Sequence, residues 1–129
     1  MKNFFLRIAF LCFLLPSLEA WSACSNADLS GIWTSVFSGR LYLEYCQLIT
    51  NNQGVLTGGS CFDVHAVSSR QVLSGNLNVD SSCLMTGTIN LDGYTTINLT
   101  GGLGLGKDSA VGYYADTNND RGTFSGVRR

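Results

Sequence analysis

Few side chains in this sequence have the types and the spacing that catalysis requires. His65, the only histidine, lies two residues after Asp63 and close to Ser68, and general acid–base chemistry could use such neighbours. No nucleophile motif accompanies them, so a surface histidine is predicted. Glu44 is predicted to face solvent near Arg40 as a weak surface pair. The sequence therefore predicts that this protein is not an enzyme.

One segment, residues 116–120, spaces oxygen-bearing side chains as the start of a calcium-binding loop does. Such a loop needs glycine at its sixth position and a bidentate glutamate later. Arg121 occupies the sixth position, Gly122 comes one residue late, and no glutamate follows. A polar hairpin loop is therefore predicted here, and the sequence predicts neither a metal site nor a cofactor.

Residues 1–20 are typical of a secretory signal peptide. A short positive segment precedes an unbroken apolar run at 8–15, and small residues lead to Ala20. Cleavage after Ala20 leaves a domain of residues 21–129, and cleavage after Ala23 is the alternative. The apolar run is too short to span a membrane, and no second run of spanning length follows. The sequence predicts a secreted or periplasmic protein, bacterial in type, with no transmembrane segment.

Four of the five cysteines follow the signal peptide, and an even number in an exported domain predicts two disulfides. Cys46 and Cys61 are equidistant from the hairpin turn predicted near Gly54. The alternation of the flanking strands places Tyr45 and Phe62 on the inner face and both sulfurs on the outer face. We therefore predict a Cys46–Cys61 bond, which leaves Cys24 to pair with Cys83. The spacing contains no CxxC pair and does not predict a zinc site.

Cys24 has a second interpretation, because Ser22-Ala23-Cys24 matches the last three positions of a bacterial lipobox. Acylation there would anchor the domain to a membrane and would leave an odd number of cysteines for disulfides. Trp21 stands where leucine is expected in such a motif. A lipid anchor at Cys24 is therefore an alternative to the Cys24–Cys83 disulfide.

The charge of the domain excludes one class of partner. Removal of residues 1–20 takes away two of the eight basic residues and one of the nine acidic residues, which leaves a small negative balance. Lysine and arginine do not cluster as a nucleic-acid surface would require. No nucleic-acid partner is predicted.

A short phrase recurs seven times in the chain: an apolar residue, then serine or threonine, then glycine. Successive side chains of a strand point to opposite faces, so the apolar residue and the glycine share one face. Glycine on that concave face lets a sheet curl without crowding. The phrases begin at Leu29, Phe37, Leu56, Leu73, Met85, Leu99 and Phe124.

The predicted fold is a single all-β domain. Turn signals such as Asp92-Gly93 separate segments of alternating polarity, which predict an antiparallel up-and-down barrel of about eight strands. A β-sandwich is the alternative. The predicted strands are 31–37, 40–50, 55–62, 72–79, 82–91, 94–105, 109–115 and 122–129.

The inner faces of these strands collect the apolar side chains, among them Leu73. Trp33, Leu77, Ile89 and Leu99 are the predicted contacts of a small apolar ligand, if the barrel encloses a pocket. The same residues would form the core of a packed barrel, because eight strands leave an interior about as wide as their own side chains. The sequence leaves both alternatives open.

Gly31-Ile32-Trp33 on the first strand, with Arg128 or Arg129 at the end of the last, resembles the signature of the calycin barrels, which include lipocalins and avidins. The resemblance implies that Trp33 packs under the barrel and that Arg128 lies across it to close the ring of strands, with Gly31 beside them. The longer phrase Asp28-Leu29-Ser30-Gly31-Ile32-Trp33 is similar to the opening of the small periplasmic metalloprotease inhibitors of Gram-negative bacteria. That similarity implies insertion of residues 21–27 into a protease cleft.

We interpret the chain as an exported, disulfide-containing barrel that binds rather than reacts. Its partner is a small apolar ligand or a protein. Tyr42, Tyr94 and Tyr113 lie on faces opposite the inner set and are suited to contact a protein. The alternatives are a periplasmic protease inhibitor of the calycin type and a lipid-anchored envelope protein with a structural role.

Overall fold

A computed structural model of the chain describes residues 23–129. The predicted signal peptide and its cleavage after Ala20 lie outside the described residues. A short 3-10 helix, Asn26–Leu29, precedes eight strands. These are β1 (Gly31–Gly39), β2 (Leu43–Thr50), β3 (Leu56–Asp63), β4 (Ser68–Val79), β5 (Leu84–Leu91), β6 (Thr95–Leu103), β7 (Ser109–Asp116) and β8 (Arg121–Arg128).

Each strand pairs antiparallel with the next one along the chain, and β8 pairs with β1 to close the sheet. The closed up-and-down barrel is the predicted fold, and the sandwich alternative is wrong. Closure gives every strand two neighbours, which removes the exposed edges that a sandwich would retain. No helix within residues 23–129 has the length and apolar character needed to cross a membrane.

The recurring phrase places its apolar residue in the interior in six of its seven occurrences. The glycines permit close approach between strands. A Cβ atom on Gly87 would lie 2.5 Å from the carbonyl oxygen of Asn76 and 2.6 Å from the side chain of Leu77. The phrase therefore supports tight curling of the sheet, as the sequence predicts.

Leu73 is the exception, and its predicted inward position is wrong. The register of β4 against β5 shifts between Val72 and Ser74, which is a bulge. Val72 and Leu77 are therefore both buried, whereas Leu73 is 67% exposed. Strict alternation cannot anticipate an inserted residue.

The faces of β2 and of the second half of β3 are the reverse of the prediction, whereas Leu56 at the start of β3 is buried as predicted. Glu44, Cys46 and Leu48 are the buried residues of β2, whereas Tyr45 points outward. Cys61 on β3 is buried as well, so the Cys46–Cys61 disulfide lies inside the barrel and not on its outer face. This face can be buried because a disulfide is apolar and because Glu44 has a cationic partner, described below.

Both predicted disulfides are present. Cys46 and Cys61 face each other in register on β2 and β3, with their Cα atoms 4.0 Å apart. Cys24, which precedes the 3-10 helix, is bonded to Cys83 in the turn before β5. The first bond joins the strands of one hairpin and the second ties the N-terminal segment to the β4–β5 turn. Two disulfides fit an oxidising environment outside the cytoplasm.

The double substitution Cys46→Ala and Cys61→Ala should lower the free energy of unfolding by about 3 kcal/mol. The bond restricts the unfolded chain across a sequence separation of 15 residues, so its removal stabilises the unfolded state. Urea unfolding followed by far-ultraviolet circular dichroism measures the change. A loss below about 1 kcal/mol would show that the unfolded chain is restricted by other means.

Candidate functional site

The end of the barrel at which β1 begins, here called the first end, is closed by Trp33 and Arg128. The Arg128 guanidinium lies over the Trp33 ring, 5.9 Å from its centroid, and donates a hydrogen bond of 2.8 Å to the carbonyl oxygen of Asp28. The Trp33 indole N–H donates to the carbonyl oxygen of Leu29 at 2.7 Å. Gly31 has a φ of +132°, and a Cβ there would lie 3.2 Å from Arg128. This is the arrangement that the calycin resemblance implies.

The 3-10 helix is fixed across this end by Asp28. Its carboxylate accepts a hydrogen bond of 2.8 Å from the backbone N–H of Ser25 and lies 3.2 Å from the Lys107 ammonium. The Ser25 N–H, above all, lowers the pKa of the Asp28 carboxyl, and Lys107 lowers it further. Lys107 also donates to the carbonyl oxygen of Ala23 at 2.9 Å. The segment before β1 is therefore attached to the barrel at several points.

This attachment argues against two alternatives, the lipid anchor at Cys24 and the protease inhibitor. The sulfur of Cys24 is bonded to Cys83, and a sulfur in a disulfide cannot also carry a lipid. Residues 23–27, the described part of the segment that the inhibitor similarity would insert into a protease, are held by that disulfide and by the Lys107 contacts. Both alternatives would require this end to be rearranged.

The interior holds the four predicted ligand contacts within a packed core. Trp33, Leu77, Ile89 and Leu99 are exposed by 5% or less and belong to a single cluster of buried apolar residues. Phe37 packs in the same cluster, with its ring centroid 5.8 Å from that of Phe124. An open depression of about 370 Å³ exists on the β4–β6 side, and none of the four residues lines it.

The opposite end, here called the second end, contains a buried ion pair. Glu44 is 2% exposed and pairs with Arg70, so its predicted position in solvent beside Arg40 is wrong. Arg70 also donates a hydrogen bond of 2.8 Å to the Thr95 hydroxyl and lies over the Tyr42 ring, 5.4 Å from its centroid. An arginine on an aromatic ring therefore lies at each end of the barrel.

His65 is exposed, as predicted, and it does not form an acid–base group with Asp63. Asp63 is buried and accepts hydrogen bonds from the backbone N–H groups of His65, at 2.9 Å, and Ala66, at 3.3 Å. The exposed His65 imidazole lies 3.0 Å from the carbonyl oxygen of Leu41. Asp63 thus shapes the β3–β4 loop through the backbone. That the protein is not an enzyme stays a prediction.

One group of possible metal ligands occurs among residues 23–129. A carboxylate oxygen of Glu44 and the sulfurs of Cys46 and Cys61 lie within 4.8 Å of one another. The two sulfurs are bonded together, and a disulfide offers no thiolate to a cation. The donor set therefore does not fit a metal ion while the disulfide is intact.

Asp120 is a structural residue that sequence reasoning missed. Its fully buried carboxylate accepts hydrogen bonds from the backbone N–H groups of Leu41 (2.9 Å) and Tyr42 (3.3 Å), and from the Tyr114 hydroxyl (2.7 Å). Asp116 accepts 2.8 Å hydrogen bonds from two N–H groups of its own turn. The segment 116–120 is thus a polar hairpin loop, as predicted, but it also joins the β7–β8 turn to the β1–β2 turn.

Hydrogen bonding decides the charge state of Asp120. Burial alone would raise the pKa of its carboxyl, but the Tyr114 hydroxyl and the N–H groups of Arg40, Leu41 and Tyr42 lower it below its ordinary value. Burial and the hydrogen bond to Asp120 raise the pKa of Tyr114 well above the ordinary tyrosine value. At neutral pH the pair is therefore a carboxylate and a neutral phenol.

The outer faces of β1, β2 and β3 carry five apolar side chains, here called the outer apolar patch: Ile32, Val36, Tyr45, Ile49 and Phe62. Val36 lies opposite Tyr45, and Tyr45 lies opposite Phe62, so these three form one row. Ile32 and Ile49 form a second row. Tyr45 is 50% exposed, Phe62 42% and Ile32 41%. Apolar side chains that stay exposed in register across neighbouring strands are typical of a contact site, so this patch is the candidate functional site.

The three tyrosines predicted as protein contacts lie apart from one another and from this patch. Tyr42 is at the second end under Arg70, Tyr94 is almost fully exposed in the β5–β6 turn, and Tyr113 is on the outer face of β7. The sequence missed the patch because it assigned Tyr45 and Phe62 to the interior. The only available signal was that Cys46 and Cys61 alternate with Tyr45 and Phe62. A disulfide placed in the interior would have put the two aromatic side chains on the outer face.

The closed eight-strand barrel and the Trp33–Arg128 contact are compatible with a calycin-like barrel. No family model matches the chain, and neither a curated protein nor a solved structure matches it.

Asp120→Asn should lower the free energy of unfolding by about 2–3 kcal/mol at neutral pH, because the amide cannot accept all the hydrogen bonds that the carboxylate accepts. A carboxyl with a lowered pKa stabilises the fold above its unfolded pKa, and this stability is lost as pH falls through the folded pKa. The difference in the free energy of unfolding between wild type and variant should therefore shrink below about pH 4.

Urea unfolding of both proteins across the acid range measures that difference. The other carboxyl groups titrate in both proteins and cancel in the comparison. A difference that stays constant into strong acid would show that Asp120 acts through packing and not through its charge.

Proposed function

We propose that this chain is an exported binding module that recognises a protein partner through the outer apolar patch. The single observation that carries the proposal is the row Val36–Tyr45–Phe62, which crosses three neighbouring strands on the solvent side of the barrel. The outward face of an antiparallel sheet is normally polar. Aromatic side chains that stay exposed there are suited to act as anchors at an interface.

The charge distribution supports a partner of defined chemistry. No charged side chain points outward from β1, β2 or β3 within the described chain, since Glu44 and Asp63 face the interior. The row between the two apolar rows of the patch is uncharged and polar and consists of Thr34, Gln47 and Ser60. Such a surface suits an apolar, uncharged face of another protein and gives little steering to a charged one.

The interior disulfide supports the same use of this face. Cys46 and Cys61 lie one residue from Tyr45 and Phe62, on the other side of the same two strands. The bond fixes the spacing of β2 and β3 directly behind the aromatic row. A rigid surface loses little conformational entropy when it binds, which favours affinity.

The packed interior makes a small apolar ligand the weaker alternative. Such a ligand would have to displace Ile89 or its neighbours, which are almost completely buried. The inhibitor and the anchored alternatives both require a free N-terminal segment, whereas Cys24 is tied to Cys83. Recognition by the outer wall requires no rearrangement of the barrel.

A photo-cross-linking phenylalanine analogue placed at position 45, in cells that export the protein, should join the barrel to one partner protein. The same analogue at position 113 is the control, because Tyr113 is 72% exposed on β7, away from the patch. The partner is then purified and its affinity for the barrel is measured by calorimetry.

Tyr45→Ser and Phe62→Ser should each weaken that binding about tenfold or more, as loss of an aromatic anchor does. Tyr113→Ser should leave it unchanged. Equal cross-linking at positions 45 and 113, or equal affinities for all three variants, would rule out the patch as the binding surface.

A separate measurement tests the alternative of an apolar ligand. In a Trp21→Phe background, fluorescence reports Trp33 alone, since the sequence contains two tryptophans. Oleic acid and an anilinonaphthalene dye should leave this emission unchanged, because the core is filled. Saturable quenching or a blue shift would place a ligand inside the barrel and would favour the alternative.

A further inference from the structure

The barrel wall has a second face with different chemistry. The outer side of β4, β5 and β6 presents amide and hydroxyl side chains in rows that cross the three strands in register. No charged side chain points outward from these strands within the described chain, since Arg70 faces the interior. One row is Asn78, Thr86 and Thr100, and the next is Asn76, Thr88 and Asn98.

The first of these rows borders the open depression of about 370 Å³. Asp80 from the β4–β5 turn and Leu84 from the start of β5 contribute to the same lining. Leu84 is 63% exposed. The volume lies in the range of small-molecule sites, and the lining combines an apolar surface with several uncharged polar groups and one carboxylate.

The polar groups of the depression are partly oriented by the protein. The Asn78 side-chain oxygen accepts a hydrogen bond of 3.2 Å from the Asn26 amide, which leaves the Asn78 N–H groups free to donate. One Asp80 oxygen accepts from the backbone N–H groups of Ser82 at 2.8 Å and Leu84 at 3.0 Å, which leaves the other oxygen free to accept.

The two threonines complete the set. Among residues 23–129, the hydroxyls of Thr86 and Thr100 have no hydrogen-bond partner, whereas in the third row Asn90 is hydrogen-bonded to Ser74 and to Thr96. A hydroxyl can donate or accept. The depression therefore offers a donor at Asn78, an acceptor at Asp80 and, on the two neighbouring strands, two hydroxyls that can donate or accept.

We propose that this depression binds a neutral saccharide. A sugar ring has hydroxyls that donate and accept at its rim and an apolar C–H face, which match the polar groups and Leu84. A sulfated or phosphorylated ligand would find no outward-facing cationic side chain on β4–β6 to neutralise it, and the Asp80 carboxylate would repel it. The next row, Asn76, Thr88 and Asn98, continues the same chemistry along the wall, so a chain of several sugar units fits better than a single one.

This inference goes beyond the proposed protein partner and does not depend on it. The outer apolar patch lies on β1–β3 and the depression on β4–β6. Loss of either surface leaves the other intact, so the two proposals fail separately.

The proposal is tested by titration of the isotope-labelled, disulfide-bonded protein with the uncharged hexasaccharides of cellulose, amylose and chitin. The chemical shifts of the backbone amides are followed by NMR. At least one hexasaccharide should shift the amides of Asn78, Thr86 and Thr100 at millimolar concentration, with no shift at Tyr45 or Phe62. A polysulfated oligosaccharide is the comparison and should bind more weakly. Absence of shifts at these three amides with every uncharged hexasaccharide would overturn the proposal, as would tighter binding of the sulfated one.

The double substitution Thr86→Val and Thr100→Val removes both hydroxyls and keeps the β-branched shape that suits a strand. It should weaken the binding about fivefold or more, as loss of two hydrogen bonds does. Thr123→Val, an exposed threonine on β8, is the matched control and should bind as wild type. Equal affinity of the double variant and the control would overturn the proposal, and wild-type amide spectra away from the site show that both are folded.

Discussion

An eight-stranded closed sheet encloses a space only about as wide as its own side chains, and the rest of the molecule follows from this constraint. The middle is filled by apolar residues such as Ile89 and by the Cys46–Cys61 disulfide. At each end, where polar backbone and water meet the core, an arginine covers an aromatic ring: Arg128 on Trp33 and Arg70 on Tyr42. Both arginines also donate hydrogen bonds to oxygens of the protein, so the closing groups are fixed in place, and the charge of Arg70 is compensated by Glu44.

The same narrowness explains why one carboxylate joins two turns at the second end. Gly39 has no side chain, and a Cβ atom there would overlap the Asp120 carboxylate and the Tyr114 hydroxyl. The space it leaves lets Asp120 reach the backbone of the β1–β2 turn. A buried charge is costly unless it is fully hydrogen-bonded, and here several donors converge on it. The turns that carry β1 and β8 are thus joined where the sheet closes.

The sequence predicts the architecture well because strand period and turn chemistry are local signals. It also predicts the disulfide pairing, because hairpin symmetry about Gly54 is local. It fails where burial depends on a distant partner. Glu44 is expected in solvent until Arg70 is placed beside it, and the alternation of Leu43 with Tyr45 points to the same wrong face for β2. Tyr45, which lies in the candidate site, was misplaced for that reason. Asp120 was missed likewise, since its backbone donors lie in the β1–β2 turn, far away in the sequence.

Most of the charged side chains of the strands lie at the two ends of the barrel, and this placement has a consequence for recognition. Of the charged residues within the strands, Arg121 alone among the described residues points outward from the wall, and it is the first residue of β8. The wall is therefore nearly free of charge, apolar on β1–β3 and rich in amides and hydroxyls on β4–β6. Uncharged surfaces associate slowly but discriminate by shape and hydrogen bonding, whereas a packed interior offers no selectivity to a ligand. We therefore propose that this barrel recognises its partners with its outside, in which case its binding properties should follow substitutions on the wall and not in the core.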